Sequence, residues 1–157
     1  MSDTNYALLD SQLRQAFGEE RNALATAANF VAVLYHALDD VNWLGLYILR
    51  GDGLVLGPFQ GLAAVPRIEM GKGVCGTAAA TRTTQRVPDV HAFPGHIACD
   101  IASRSELVVP LTSEAGLVGV LDIDSPLLDR FSAEDQAGVE SLCNTFLEAL
   151  AESDTSI

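Results

Sequence analysis

The chain has 157 residues and a mass of 16.6 kDa, a size typical of one compact domain, so we expect a single domain over residues 1–157. Its hydrophobic content of 48% excludes intrinsic disorder. The formal net charge of −12 argues against nucleic acid and anionic membranes as partners, since both are bound by clustered Lys and Arg. No apolar run approaches the roughly 20 residues that span a bilayer, and the polar N-terminus lacks a signal sequence, so we expect a cytoplasmic protein. The chain has three cysteines, an odd and small number that argues against a disulfide framework and is compatible with a reactive thiol.

Two helices are predicted in the first forty residues. Apolar side chains recur every three or four positions in two stripes, a pattern typical of amphipathic helices. The first stripe, closed by Gly18, contains Tyr6, Leu9, Leu13, Ala16 and Phe17. The second stripe, closed by the Asp39-Asp40 pair, contains Leu24, Ala28, Val31, Tyr35 and Leu38.

From Asn42 onward, short apolar segments separated by turn residues predict a sheet. The strands are expected at 43–49, 54–56, 67–70, 85–87, 107–111 and 117–123. We expect a helix over 74–81, an irregular loop over 88–104, and a closing helix after Ser132, whose hydroxyl and following acids suit a helix N-terminus. This order indicates an α+β fold with a mostly antiparallel sheet. The N- and C-terminal helices share one face of that sheet, and the loops and the middle helix form a pocket on the other.

Three carboxylates are expected to cluster on the pocket side. In a strand, Asp122 and Asp124 point the same way as Val118 and Val120, and Glu106 enters the neighbouring strand. If this face is solvated, the acids only keep it soluble. If it is a pocket floor, as the adjacent valines favour, mutual repulsion raises at least one pKa and makes a protonated acid available near neutral pH. Such a cluster also suits a ligand that carries an ammonium group.

Two aromatic residues, Trp43 and Tyr47, lie on one face of the first strand with Gly45 between them. They are either core residues or an aromatic wall around a small apolar ligand group. Periodicity does not separate the two interpretations.

The segment from Gly71 to Gly76 formally matches the dinucleotide motif GxGxxG. That motif requires a parallel βαβ unit and an acid about 20 residues later, and neither is predicted here. We therefore expect the glycines to form a tight turn from strand to helix. The turn would place Cys75 near a helix N-terminus, where a thiolate is favoured.

The other two cysteines have different settings. Cys99 lies in the irregular loop near His91 and His96, a setting typical of a reactive thiol. A zinc site built from these three residues and Cys75 is an alternative, although the CxxC or HxxxH spacing of such sites is missing. Cys143 belongs to the apolar stripe of the closing helix, where core packing is the expected role.

A thiol that faces three carboxylates favours chemistry in which the site retains protons. Reduction of a sulfoxide has this need, because the oxygen must be protonated as sulfur attacks, and a carboxylic acid of raised pKa can supply the proton. The cysteine becomes a sulfenic acid, which a second cysteine can convert into a disulfide.

Several segments resemble the free methionine-(R)-sulfoxide reductases, enzymes with the GAF fold. The resemblance extends from Asn42 to about Val139, in order and with matching spacing. Its motifs are GPFQG at 57–61, GVCGTA at 73–78, DVH at 89–91, GHIACD at 95–100, SRSE at 103–106 and GVLDIDS at 119–125. The strings HIACD and LDIDS are specific to this group rather than to GAF domains at large.

The resemblance implies roles for the cysteines. Cys99 matches the nucleophile that becomes a sulfenic acid as free methionine leaves, and Cys75 matches a cysteine that takes part in the resolving disulfide. Many members carry another cysteine where this chain has Val65, and that cysteine is the preferred resolving partner in some of them. We therefore predict that Cys75 resolves Cys99 here, or that an external thiol reduces the sulfenic acid directly.

The resemblance also implies a substrate site and partners. The residues that match it are Glu106, Asp122 and Asp124 around the sulfoxide oxygen and the amino group, Trp43 and Tyr47 around the thioether methyl, and Asp89. No bound cofactor or metal is implied. Thioredoxin completes turnover in the family, and GAF helices commonly pair two chains into a homodimer.

Two other classes of function compete with the reductase. One is a GAF sensor that binds a small ligand without catalysis, and the other is a zinc-dependent hydrolase. A sensor normally accompanies an effector domain, for which 157 residues leave no room, and it does not need two cysteines together with three pocket acids. The residues therefore favour the reductase.

Overall fold

The computed structural model describes residues 3–95 and 101–157. Every predicted helix and strand is present, and β2, β5 and β6 extend beyond their predicted ends. The helices are α1 Tyr6–Phe17, α2 Ala23–Ala37, α3 Gly73–Thr81 and α4 Ala133–Ala151, with a short 3₁₀ helix at Val90–Ala92. The strands are β1 Trp43–Arg50, β2 Gly53–Gln60, β3 Arg67–Glu69, β4 Gln85–Val87, β5 Ser105–Ser113 and β6 Gly116–Ser125. Among the described residues, no helix combines the length and apolar character needed to cross a bilayer.

The strands form an antiparallel sheet in the order β3-β2-β1-β6-β5-β4. The two central strands, β1 and β6, pair with each other, and β5 pairs along nearly the whole of β6. The predicted α+β class with an antiparallel sheet is therefore confirmed. Because the described strands contain no parallel pair, the βαβ unit that a dinucleotide motif needs is missing from this sheet, and the rejection of that motif is confirmed as well.

Helices α1, α2 and α4 cover one face of the sheet, as predicted. Alternate residues of the central strands point toward these helices and form the larger core, and they include Leu44, Leu46, Leu107, Leu121 and Ile123. Phe30 of α2 stacks on Phe146 of α4 with ring centroids 4.3 Å apart. Helix α3 packs on the opposite face, in a second and smaller cluster.

The N-cap predicted at Ser132 is confirmed and is part of a capping box. Ser132 and Asp135 exchange hydrogen bonds between side chain and backbone at the start of α4. The buried carboxylate of Asp135 also accepts a hydrogen bond from the Tyr6 hydroxyl at 2.7 Å and one from Arg130 at 3.2 Å. The charged form of this acid is therefore stabilised by several donors on the helix side of the molecule.

The predicted apolar stripe of α2 was wrong at two positions, since Leu24 and Ala28 are exposed. The residues that α2 buries are Ala23, Thr26, Ala27, Phe30, Val31 and Leu34. This helix is rich in alanine and apolar on most of its surface, so periodicity alone does not select the buried face.

The predicted alternation at the start of β6 was also wrong. The pairing of β6 with Leu111 and Thr112 skips Val118, which marks a β-bulge. Val118 therefore packs with the core on the helix side, while Leu117 packs on the opposite side. Because the bulge inserts one extra residue into β6, the residues that precede it point to the face opposite to the one predicted by strict alternation. From Gly119 onward the strand keeps the predicted alternation.

Candidate active site

The sheet face opposite the three large helices brings the predicted acids together. Glu106 of β5 pairs directly with Asp124 of β6, and Asp122 lies two residues earlier on the same strand. Residues two apart in a strand point to the same face, and directly paired side chains are neighbours, so the three carboxyl groups share one patch. Strand β1 borders this patch, with Gly45 opposite Asp122 and Trp43 opposite Asp124.

All three carboxyl groups are buried, with exposed fractions of 4% for Glu106, 0% for Asp122 and 3% for Asp124. The interpretation of a solvated acidic face is therefore wrong. Burial raises the pKa of Glu106 well above its usual range, and the charge of Asp124 raises it further. Burial likewise raises the pKa of Asp122, with the charge of Glu106 as the second cause. The patch therefore favours retention of a proton, as the crowding of the acids predicted.

Cys75 reaches the same patch from α3. The turn into this helix is tight, because Gly71 and Gly73 have φ angles of 82° and 63°, and a side chain at Gly76 would collide with the preceding strand. The predicted glycine turn is confirmed, and Cys75 is the third residue of α3. Cys75 is 4% exposed, and its sulfur lies within 4.8 Å of carboxylate oxygens of Asp122 and Glu106.

A small cavity of about 10 Å³ lies between this thiol and the acids. Its lining includes Cys75, Glu106 and Asp122 together with Ile68 and the start of α3. Such a volume holds one water-sized group, so a ligand as large as an amino acid requires the lining side chains to move. Larger cavities of about 570 and 860 Å³ lie along α4, away from the acids. Chemistry rather than size therefore identifies the site.

Three aromatic rings stack beside the acids. The ring centroid of Trp43 lies 6.0 Å from that of Tyr47 and 5.4 Å from that of Phe59. Gly45 makes room for the indole, because a Cβ atom there would lie 2.6 Å from the Trp43 ring. The predicted shared face of Trp43 and Tyr47 is confirmed. Sequence analysis missed Phe59, because β2 was predicted to end at residue 56.

The polar ends of two of these aromatic side chains hold the loop that follows β2. The indole N–H of Trp43 donates to the carbonyl of Leu62 at 2.8 Å, and the Tyr47 hydroxyl donates to the carbonyl of Val65 at 2.9 Å. Both rings are fully buried. They therefore belong to the core and at the same time support a loop beside the acidic patch, so the two interpretations offered by the sequence are compatible.

Asp89 has a local structural contact. Its carboxylate accepts a hydrogen bond from the backbone amide of His91 at 3.0 Å and begins the 3₁₀ helix. This contact does not test a part in substrate binding, which stays a prediction. Cys99 and His96 lie outside the described residues, so the predicted nucleophile and the alternative zinc site also stay predictions.

Cys143 lies in the core of the helix side, as predicted. Burial raises the pKa of its thiol, and the charge of Glu140 raises it further. A thiol held in the protonated form is chemically inert. Cys143 and Cys75 belong to clusters on opposite faces of the sheet, so this pair is not placed to form a disulfide.

The patch thus combines three chemical capacities. The protonated member of the Glu106 and Asp122 pair can donate a proton to a departing oxygen. An ionised acid beside it can hold an ammonium group. Cys75 supplies a thiol whose sulfur lies within 4.8 Å of an Asp122 carboxylate oxygen. A sulfur substrate with a basic amino group fits this combination.

The chain is similar to proteins of known sequence and structure. The GAF domain family matches residues 12–150. The free methionine-R-sulfoxide reductase of Escherichia coli (strain K12) is 50% identical over 149 residues, which cover 95% of this chain and 90% of the relative. The structure of fRMsr of Staphylococcus aureus in complex with its substrate has a TM-score of 0.90 and 45% identity, covering 96% of this chain and 98% of the other. A Burkholderia vietnamiensis structure described as a GAF sensor protein has a TM-score of 0.90 and 56% identity, covering 94% of both chains.

Proposed function

The chain belongs to the free methionine-R-sulfoxide reductases of the GAF fold, and we propose that it reduces free L-methionine (R)-sulfoxide to L-methionine as a single catalytic domain. One observation carries the proposal. The strand register places Glu106, Asp122 and Asp124 side by side in a buried patch that also contains the Cys75 thiol. A ligand sensor has no need for a retained proton next to a thiol, whereas sulfoxide reduction requires one.

The first step transfers oxygen from the substrate to the enzyme. Sulfur of Cys99, the residue that the resemblance assigns as nucleophile, attacks the sulfoxide sulfur. The attack forms a bond between the two sulfur atoms, and the protonated acid of the Glu106 and Asp122 pair donates its proton to the sulfoxide oxygen. The hydroxyl then passes to the sulfur of Cys99 as the S–O bond of the substrate and the new bond between the sulfur atoms break, and the Cys99 thiol proton returns to the acid. The products are free methionine and a sulfenic acid on Cys99, so the thiol is oxidised by two electrons and the sulfoxide is reduced by two.

The second step regenerates the thiol. The sulfenic acid of Cys99 condenses with the Cys75 thiol, which releases water and forms a disulfide. The dithiol of thioredoxin then reduces this disulfide by exchange. The place of Cys75 supports the role of a resolving thiol, because this buried residue lines the same cavity as Glu106 and Asp122.

The substrate is held at its two ends. The ionised members of the acidic patch bind the ammonium group, while Trp43 and Tyr47 contact the thioether methyl. A peptide-bound methionine sulfoxide has no free ammonium group at this position, so the acids select the free amino acid. Asp89 is a further proposed contact.

The remaining parts of the proposal concern the state of the protein in the cell. Catalysis uses no bound cofactor or metal and takes electrons from thioredoxin. The cytoplasm fits this chemistry, since thiols there are kept reduced. The chain forms a homodimer through its helices, and mass determination by light scattering tests that assembly.

The proposed activity is tested with purified protein, racemic free methionine sulfoxide, thioredoxin, its reductase and NADPH. We expect consumption to stop at half of the sulfoxide, with the S epimer left over. Cys99→Ser removes the nucleophile and should abolish turnover. The matched control is Cys143→Ser, which removes a core thiol and should keep the activity.

Two outcomes would contradict the proposal. A fully active Cys99→Ser variant would exclude the assigned nucleophile. A wild-type protein that binds methionine sulfoxide without consuming NADPH would be a sensor rather than an enzyme. Mass mapping after one turnover tests the resolving step, where Cys75 linked to Cys99 is expected and Cys143 in that disulfide would overturn it.

A further inference from the structure

Three atoms that can bind a metal ion lie close together in the buried patch, and the proposed reaction does not require this close spacing. One donor atom each of Cys75, Glu106 and Asp122 lies within 4.8 Å of the other two. All three side chains are buried and line the same cavity of about 10 Å³, a volume that accommodates a single water-sized or ion-sized occupant. A thiolate with two carboxylates is a ligand set that Zn²⁺ accepts.

A second observation points to an occupant. The Asp122 carboxylate is fully buried and lines this cavity, yet within residues 3–95 and 101–157 neither of its oxygens has a conventional amide, hydroxyl or cationic donor. Its polar neighbours are the Cys75 thiol and the other two acids. A buried carboxylate is normally satisfied by donors or by a cation. Lys72 also lines the cavity but is exposed to water, where its charge is screened.

We infer that Cys75, Glu106 and Asp122 bind one thiophilic divalent cation, Zn²⁺ in the first place, and that this ion inhibits the enzyme. Zinc–sulfur and zinc–oxygen bonds of about 2.3 and 2.0 Å require tetrahedral donors about 3.3–3.5 Å apart. The three donors therefore have to approach one another by about 1.5 Å at most. Binding releases the protons of the thiol and of any protonated acid into water.

The bound ion has two consequences for the site. It converts the Cys75 thiol into a metal thiolate, which is no longer available to condense with a sulfenic acid. It also removes the proton that the acids supply. Inhibition in this sense rests on the proposed function, whereas binding of the ion does not. The ion is an inhibitor and a protecting group for the thiol, and it is not a cofactor of the reaction.

Binding is tested on the full chain after reduction and removal of metal with a chelator. Isothermal titration with zinc chloride, without substrate, should give one equivalent per chain. The Cys75→Ser and Asp122→Asn variants should bind about tenfold more weakly or worse. The matched controls Cys143→Ser and Cys99→Ser should bind as the wild type does. Cadmium should give an ultraviolet thiolate-to-metal absorption band that is missing from Cys75→Ser.

The outcomes separate this inference from the proposed function. Zinc bound with unchanged affinity by Cys75→Ser, or lost in Cys99→Ser alone, would overturn the site, and so would a wild type that binds no zinc and gains no thermal stability from it. Circular dichroism of each variant shows that the fold is kept. For inhibition, one equivalent of zinc should stop methionine sulfoxide reduction and a chelator should restore it. Full activity with the ion bound would overturn the inhibitory role while leaving the activity itself established.

Discussion

The two faces of the central strands carry opposite chemistry at adjacent positions. On β6, Leu121 and Ile123 pack against the helices, whereas Asp122 and Asp124 point to the other side. Both faces are buried. The helix side is filled by apolar side chains, whose burial stabilises the fold. On the opposite side, burial of the carboxylates costs desolvation free energy. The difference shows where the molecule has placed its chemistry, since buried acids are retained only where they are satisfied or used.

Two buried aspartates make this comparison sharper. Asp135 on the helix side accepts hydrogen bonds from Tyr6, Ser132 and Arg130, which stabilise its charge. Asp122 on the site side has a thiol and other acids as its polar neighbours, and its pKa is raised by burial and by the charge of Glu106. One acid therefore serves the fold and the other is prepared for proton transfer or for a cation.

The largest expected effect is on activity, for the Asp122→Asn variant. The amide has the shape of the acid but has no acidic proton to deliver, so kcat/KM should fall roughly a thousandfold. The free energy of unfolding should not decrease, because a buried ionisable group has been removed. The coupled assay and urea denaturation measure the two quantities.

The control for this prediction is Asp135→Asn. It breaks the capping box and the contact with Arg130, and should lower the free energy of unfolding by about 3 kcal/mol while activity per folded molecule stays the same. If Asp122→Asn kept its activity and lost stability as Asp135→Asn does, the two faces would not differ as described.

The next largest effect is on stability, for Leu121→Ala. This side chain is fully buried against the helices, and its truncation should lower the free energy of unfolding by about 3 kcal/mol without changing kcat at temperatures where the protein is folded. Urea denaturation provides the measurement. Leu128→Ala is the control, since that leucine is half exposed and should change stability by less than about 0.5 kcal/mol.

A smaller effect is expected for Gly45→Ala, which tests the aromatic stack. The new methyl group would meet the Trp43 ring and the side chain of Phe59, so the indole has to shift at a cost of about 2 kcal/mol. Because that shift also moves the proposed methyl-binding wall, KM should rise more than kcat falls. Gly53→Ala at the hairpin is the control. An equal rise in KM in that variant would contradict the role of the aromatic stack in substrate binding.

The smallest effect is on the pH dependence of stability. The pKa values of Glu106 and Asp122 are raised in the folded state, first by burial, whereas in the unfolded chain they are near about 4. Between the unfolded-state pKa and the folded-state pKa, the native state binds more protons than the unfolded state. The free energy of unfolding therefore falls as the pH rises through the folded-state pKa. In urea denaturation with a chelator present, the wild type should lose stability relative to Asp122→Asn as the pH rises above the unfolded-state value of about 4. A constant difference would contradict the raised pKa values.

Much of the fold could be predicted from the sequence because its signals are local. The closing helix has a capping residue at Ser132, and the glycines from 71 to 76 require a tight turn. Errors occurred where local signals are weak. The alanine-rich α2 has no distinct apolar stripe, and the bulge at Val118 depends on pairing with β5.

The candidate site could be predicted only as a set of residues. Motif resemblance and strand alternation indicated the acids, the aromatics and Cys75. The burial of the acids, the place of Phe59 in the stack and the hydrogen bonds from Trp43 and Tyr47 to the loop depend on partners distant in sequence. Such partners have no local signal.

The sequence by itself therefore determined the composition of the site, including an excess of acids and an odd number of cysteines. It also determined which strand residues share a face, because alternation is a property of the extended chain. Only the tertiary structure decided how deeply those acids are buried and which charges lie beside them. The antiparallel register of β5 and β6 places Glu106 beside Asp124, and α3 closes over them with Cys75. Burial and mutual repulsion then raise the pKa values of Glu106 and Asp122, because desolvation depends on what packs around a group rather than on its neighbours along the chain.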